Sequence, residues 1–182
     1  GQRLYYYRSL PSEPHNPAEE RVLYEDEWIV VADKPHFLPV TPGGKHLHET
    51  LLVRLRRRLG CDTLTPLHRL DRETAGLVLL ARQPATRAAY ENLFARRQVT
   101  KTYQAIARWD PNLQFPLRRV STLVDGEHFM QMREAGEHDP PQLPNAHTTI
   151  ELLEIQGDWA RYGLQPQTGK RHQLRVHMAA LG

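Results

Sequence analysis

The sequence predicts an α+β fold: a mixed, largely antiparallel sheet with flanking helices. Segments of strand-like composition follow one another through short turns, and only three stretches carry apolar residues at helical spacing. The size agrees, because 182 residues with 40% hydrophobic and 25% charged content suffice for one sizeable core. The chain reads as one domain over residues 21–182, preceded by an extended arm over residues 1–20 that is rich in Pro, Glu and Ser.

RVLYEDEWIVVADKP reads as two short strands around the acidic turn Glu25-Asp26-Glu27, the second being the buried run Trp28 to Ala32, with Pro35 closing the hairpin. HFLPVTPGG is loop by its Pro and Gly content. ETLLVRLRRRLG is a helix with Leu51, Leu52, Leu55 and Leu59 on one face, arginines pointing outward and Gly60 as its stop. GLVLLAR reads as a strand buried on both faces. PATRAAYENLFARRQV is a helix with Pro84 near its start and Ala89, Leu93 and Phe94 as core contacts. KTYQAIARW is another strand, and residues 125–147, with Pro140, Pro141 and Pro144, are largely an irregular excursion. TTIELLEIQ and WARYGLQPQ form a strand pair joined by Gly157-Asp158. In TGKRHQLRVHMAALG, Leu174, Met178 and Leu181 mark a short amphipathic helix closed by Gly182.

One cysteine, Cys61, rules out an intramolecular disulfide and any cysteine-based zinc cluster, which fits a reducing compartment and a cytoplasmic protein. No run is long and apolar enough to cross a bilayer, and residues 1–17 have no secretory signal pattern. The net charge of +3 is modest but unevenly spread. Seven acidic residues lie between Glu13 and Asp33 against Arg21 alone, whereas Arg54 to Arg58, Arg96, Arg97, Lys101, Arg118, Arg119, Lys170, Arg171 and Arg175 make basic clusters. Such clusters suit a polyanion such as RNA, because neutralised phosphates release counterions.

Metal and nucleophile patterns fail. Among ten histidines, His46 and His48 belong to no H-E-x-x-H, and His172 and His177 are five apart, off a common helix face. QTGKRH lacks the first glycine and the hydroxyl residue of a phosphate loop, with Leu164 and Arg171 in their places, and no G-x-S-x-G occurs. A different grouping survives. In LHRLDRETAGLVLLAR, Asp71 stands between Arg69 and Arg72 at the mouth of a strand; KTYQAIA and TGKRHQLRVHMAALG likewise interrupt core-like segments with charged or aromatic residues. Together they supply a carboxylate, an aromatic platform and a cluster of cations, parts that suit a pyrimidine nucleotide drawn out of an RNA strand.

HRLDRETAGLVLLAR resembles the signature of the RluA-type pseudouridine synthases, and YEDEWIVVADKPHFLPVTPGG, KTYQAIA and TGKRHQLRVHMAALG are similar to that family's other blocks, in the same order. The resemblance spans roughly residues 21–182. It implies the catalytic domain of a pseudouridine synthase, which isomerises specific uridines of rRNA or tRNA without cofactor or metal. By the resemblance, Asp71 matches the catalytic aspartate, Arg175 the basic residue that pairs with it, Tyr103 the tyrosine that packs on the uracil ring, and Arg69 the arginine that helps displace the target base or its neighbours. Arg57, Arg58, Arg72, Lys101, Lys170, Arg171 and His172 join Arg69 as candidate RNA contacts. A carboxylate working ionised among RNA phosphates needs cations nearby, which by the resemblance Arg175 with Arg69 would supply.

Two departures stand out: Ala75 replaces a frequent serine, and the chain stops at Gly182 where relatives continue through further strands. The first twenty residues do not resemble the S4-like domain of some relatives, so target choice is expected from the catalytic domain itself. A monomer is the default expectation. Two rival readings stand beside the synthase reading. A catalytically inactive RNA-binding module of the same fold, acting in ribosome assembly, is disfavoured by the presence together of Asp71, Tyr103 and Arg175. A glycosidase-type hydrolase would need a second carboxylate, for which Glu73 is the local candidate.

Overall fold

The computed structural model describes residues 13–128 and 131–182, so most of the expected arm, residues 1–12, lies outside the described residues. The chain divides into two compact units, Gly1–Arg96 and Arg97–Gly182.

In the first unit β1 (Arg21–Glu25) and β2 (Ile29–Lys34) form the expected antiparallel hairpin, with Arg21 opposite Asp33 and Glu25 opposite Val30. Asp26 shapes its turn by accepting the backbone N–H groups of Trp28 and Ile29, each at 2.7 Å, and those bonds hold its carboxyl below the usual range. The run from Trp28 to Ala32 is not uniformly buried. Trp28 is exposed, and burial alternates through Val30, Ala32 and Lys34, because only one face of β2 meets the core.

α1 (Leu51–Leu59) starts at Thr50, whose hydroxyl accepts the N–H of Val53, and ends at Gly60, whose φ of 59° favours glycine. Leu51, Leu52 and Leu55 are buried as expected and Leu59 is half-buried. The outward placing of all its arginines needs correction. Arg54 turns back onto residues 13–20, donating to the carbonyls of Asn16 and Ala18 at 2.6 and 2.9 Å and pairing with Glu20 and Glu49, while Arg56 donates to the carbonyl of Leu64. That segment has no helix or strand of its own, so its carbonyls take side-chain donors. Glu13 anchors its start by accepting the N–H groups of Leu47, His48 and Glu49.

β3 (Thr65–Pro66), too short to read from sequence, pairs with β4 (Gly76–Ala81), giving the sheet order β1-β2-β4-β3. β4 buries Val78 and Leu80 but leaves Leu77 55% exposed, so it too has one buried face rather than two. α2 (Pro84–Ala95) begins at Pro84 as expected but buries no residue; Ala89 and Leu93 are exposed. Its working face is instead Arg87, which donates to the Thr65 hydroxyl, and Phe94, which stacks on His68.

In the second unit β5 (Tyr103–Arg108), β6 (Leu117–Ser121), β9 (Ala146–Gln156) and β10 (Trp159–Pro166) form a sheet in the order β5-β10-β9-β6, while β7 (Leu123–Asp125) and β8 (Met132–Glu134) pair separately. Every pairing among the described residues is antiparallel. β9 and β10 turn at Gly157-Asp158, with Gly157 at φ 59°. The stretch 125–147 is irregular apart from β8 and the strand ends that border it, and β6 lay unnoticed within a basic cluster. α3 (Gln173–Ala179) lays Leu174 and Met178, with Leu181 beyond it, on the core of Ile150, Ala160, Tyr162 and Leu164. It closes at Ala180, ahead of Gly182.

Candidate functional site

Asp71 is half-buried in the loop between β3 and β4. Buried Leu67 and Leu70 seat the approach, and the Leu67 N–H donates to the Leu79 carbonyl at 2.9 Å. The Thr74 N–H donates to the Asp71 carbonyl at 3.1 Å, closing a turn around the carboxylate. Gly76 then enters β4 at φ 124°, a conformation that a side chain would strain. His68 Nε2 accepts the Leu79 N–H at 3.1 Å, and its ring stacks on Phe94 at 5.0 Å between centroids.

The other side of the loop is tied to the end of β2. Lys34 is fully buried, and its Nζ donates to the carbonyls of Leu38 at 2.8 Å, Pro35 at 3.0 Å and Arg72 at 3.2 Å. Burial pulls its ammonium down to about 8, opposed by the carboxylates of Glu73 and Asp71. A buried cation thus feels the charge of Asp71 while holding the carbonyl of its neighbour. His36 Nδ1 adds a bond to the Glu73 carbonyl at 2.6 Å. Sequence reasoning missed Lys34, although its place two residues after Ala32 and four after Val30 puts it on the buried face of the strand.

Arg69 is exposed, and Arg72 pairs with Glu73 at 2.9 Å, so the flanking arginines differ in their local ties. In α1, Arg57 reaches the His48 ring at 3.5 Å and Arg58 donates to the Glu20 carbonyl at 3.1 Å.

The remaining candidates belong to the second unit. Tyr103 opens β5 opposite Leu164, half-buried against the core. Arg175 is exposed on α3, and His172 precedes that helix at φ 54°. Arg171 donates to Asp125 at 2.7 Å. Gln173, which sequence reasoning also passed over, is 3% exposed and clamps the loop before α3: Oε1 accepts from the Thr168 hydroxyl at 2.7 Å and the Lys170 N–H at 3.1 Å, while Nε2 donates to the His147 carbonyl and the Thr148 hydroxyl at 3.0 Å each. His177, fully buried, contacts the hydroxyls of Thr148 and Ser121, and burial lowers its pKa. Gln173 is therefore framework for the loop that carries Lys170, and His177 is a buried polar tie between α3 and the sheet. Among the described residues, no three His, Cys, Asp or Glu side chains gather so as to hold a metal ion, and no helix is long and apolar enough to cross a membrane.

Residues 28–180 match the family described as RNA pseudouridylate synthase. The chain belongs to this family. It is 32% identical, over its whole length, to an uncharacterized RNA pseudouridine synthase of Synechocystis, of which it spans 62%. It is also 32% identical to the dual-specificity RNA pseudouridine synthase RluA of Salmonella typhi, with 93% of this chain and 77% of the relative covered, which supports the RluA-type assignment. Among solved structures, human RNA pseudouridylate synthase domain containing 1 superposes with a TM-score of 0.75 at 26% identity, covering 94% of this chain and 69% of that one. The α+β fold is the family's.

Proposed function

We propose that this protein isomerises specific uridines of RNA to pseudouridine, acting on rRNA, tRNA or both, with Asp71 as its catalytic residue and no cofactor. The observation that carries the reading is the family match over residues 28–180, which contains HRLDRETAG, KTYQAIA and TGKRHQLRVH. In this reading residues 21–182 act as one catalytic domain. The Asp71 carboxylate drives cleavage of the N-glycosidic bond; the uracil turns, and C5 joins the sugar in place of N1. Tyr103 supplies a π-face for the displaced base, a sequence-tolerant contact that holds the ring while it turns. By the same resemblance Arg175 is the basic residue matched to the aspartate's partner, and Arg69 helps displace the target base or its neighbours.

The immobilised turn around Asp71 supports this chemistry. A carboxylate acting on one atom of an extruded nucleotide must be preplaced, and bonds from Lys34, His36, His68 and Thr74 restrict its loop from several directions. The protein is proposed to work as a cytoplasmic monomer on RNA. The test is to map pseudouridines in the RNA of cells with and without the gene: a site lost with the gene and restored by it names the substrate, whereas an unchanged map contradicts the assignment.

A further inference from the structure

In the second unit a cavity of about 260 Å³ is lined by Arg97, Asn145, His147, Gln167, Thr168 and Lys170. Lys101 adjoins it, with Nζ 3.5 Å from where a Cβ on Gly169 would lie, so the ammonium packs against the backbone between Thr168 and Lys170. Arg119, Arg133, Arg161 and Arg171 each pair with a carboxylate, whereas Arg97, Lys101 and Lys170, like Arg108 and Arg118 elsewhere in the unit, have no such partner among the described residues; what sets the three apart is that they gather at one cavity. Their mutual repulsion is unrelieved, and burial together with nearby Arg97 lowers the pKa of Lys101.

The lining is also preset. Gln173 holds the Thr168 hydroxyl, the Lys170 N–H and the His147 carbonyl, and Thr168 in turn accepts the His147 N–H at 2.9 Å. The left-handed backbone of Arg97, φ 57°, is an uncommon conformation for a side-chain-bearing residue and marks a position set by its surroundings. A rigid wall with converging unpaired cations selects an anion. The volume is below the roughly 300 Å³ at which pockets begin to enclose a whole small molecule, so the ligand is a single charged group on something larger.

We propose that Arg97, Lys101, His147 and Lys170 form a seat for one phosphodiester group of the substrate RNA, separate from the residues that act on the uridine. This inference rests on the RNA reading above. What it adds is convergence: Lys101 and Lys170 meet the same phosphate, in company with two residues that the sequence motifs do not mark.

Convergence on one phosphate makes a quantitative demand. A single neutralised phosphate contributes about 0.7 to 0.9 to the slope of log affinity against log salt. Filter binding of the full chain to an in vitro transcript carrying the mapped uridine, across a potassium chloride series, should show Arg97→Gln and Lys170→Gln each weakening affinity about tenfold. The double variant should lower the slope by no more than that one-phosphate amount, because both side chains serve the same group. Arg97→Lys, which keeps the charge, should retain the slope and separates charge from folding. A double variant whose slope falls by twice the one-phosphate amount would mean two independent backbone contacts and overturn the seat, as would single variants with unchanged slopes on RNA that wild-type protein binds. Failure of wild-type protein to bind the transcript at all would instead sink the RNA reading. Inorganic phosphate, followed by the ring signals of His147, distinguishes the source: movement with free phosphate but none with RNA overturns the assignment to substrate.

Discussion

Lys34→Met tests how the loop that carries Asp71 is held. Methionine matches the length of lysine and removes the ammonium that donates to the carbonyls of Pro35, Leu38 and Arg72. Hydrogen bonds from a charged donor contribute roughly 1.5–3 kcal/mol each, with the buried Leu38 bond at the upper end and the part-buried other two at the lower. Against this stands the cost of a buried charge: lowering a lysine from its ordinary 10.5 to about 8 corresponds to roughly 3 kcal/mol. The variant should therefore lose about 2–4 kcal/mol at pH 7, the range seen when one partner of a buried polar network is removed. The pH dependence has a definite sign. Between pH 8 and 10.5 the unfolded state binds the Lys34 proton and the folded state does not, so wild-type stability gains with rising pH and that gain is lost as pH falls through about 8. Methionine cannot titrate. Urea unfolding of both proteins at pH 7 and pH 9.5 should show the deficit of the variant growing by roughly 2 kcal/mol. Equal stability at pH 7, or a deficit that shrinks as pH rises, would mean that Lys34 is not a buried charged tie.

Tyr103→Phe should keep stacking and most RNA affinity, whereas Tyr103→Ala should lose turnover far more than thermal stability; equal loss of both would make Tyr103 merely part of the core it touches. Replacing Arg57 and Arg58 together by glutamine should flatten the salt dependence of RNA binding, and an unchanged slope in filter binding would leave α1 a solvated face tied to Glu20 and His48. Gly76→Ala, at φ 124°, should destabilise the first unit by about 1–3 kcal/mol in a chemical melt and lower turnover by shifting the Asp71 loop, although no neighbouring atom lies within 4 Å of an added Cβ.

Elements whose causes are local were legible. The turn at Asp26, the stop at Gly60 and the Gly157-Asp158 turn each involve residues within a few positions of one another. Placement that depends on distant partners was not. Arg54 turns inward because of Asn16 and Ala18, 38 and 36 residues away, and α2 presents Arg87 and Phe94 because Thr65 and His68 lie against it. β6 was hidden because its exposed and half-buried residues include adjacent arginines, Arg118 and Arg119, and the latter is paired with Glu134. At the candidate site Asp71 and Tyr103 are candidates marked by ordered sequence blocks, a reading that rests on the resemblance. Lys34 and Gln173 escaped because a charged or amide residue on a core face declares itself only when its carbonyl and hydroxyl partners are in place.

The most direct measurement pairs turnover with binding in Asp71→Asn. Asparagine is nearly isosteric and still hydrogen-bonds, but it lacks the charge and the oxygen basicity or nucleophilicity that glycosidic cleavage requires. With RNA labelled by tritium at uracil C5, wild-type protein should release label to water as C5 exchanges its hydrogen for the sugar bond, and the variant should release none. Filter binding on the same RNA should remain intact or tighten slightly, because one anion has been removed from between the arginines Arg69 and Arg72. Release of tritium by the asparagine variant at the wild-type rate would reduce Asp71 to a structural residue and contradict the proposed mechanism.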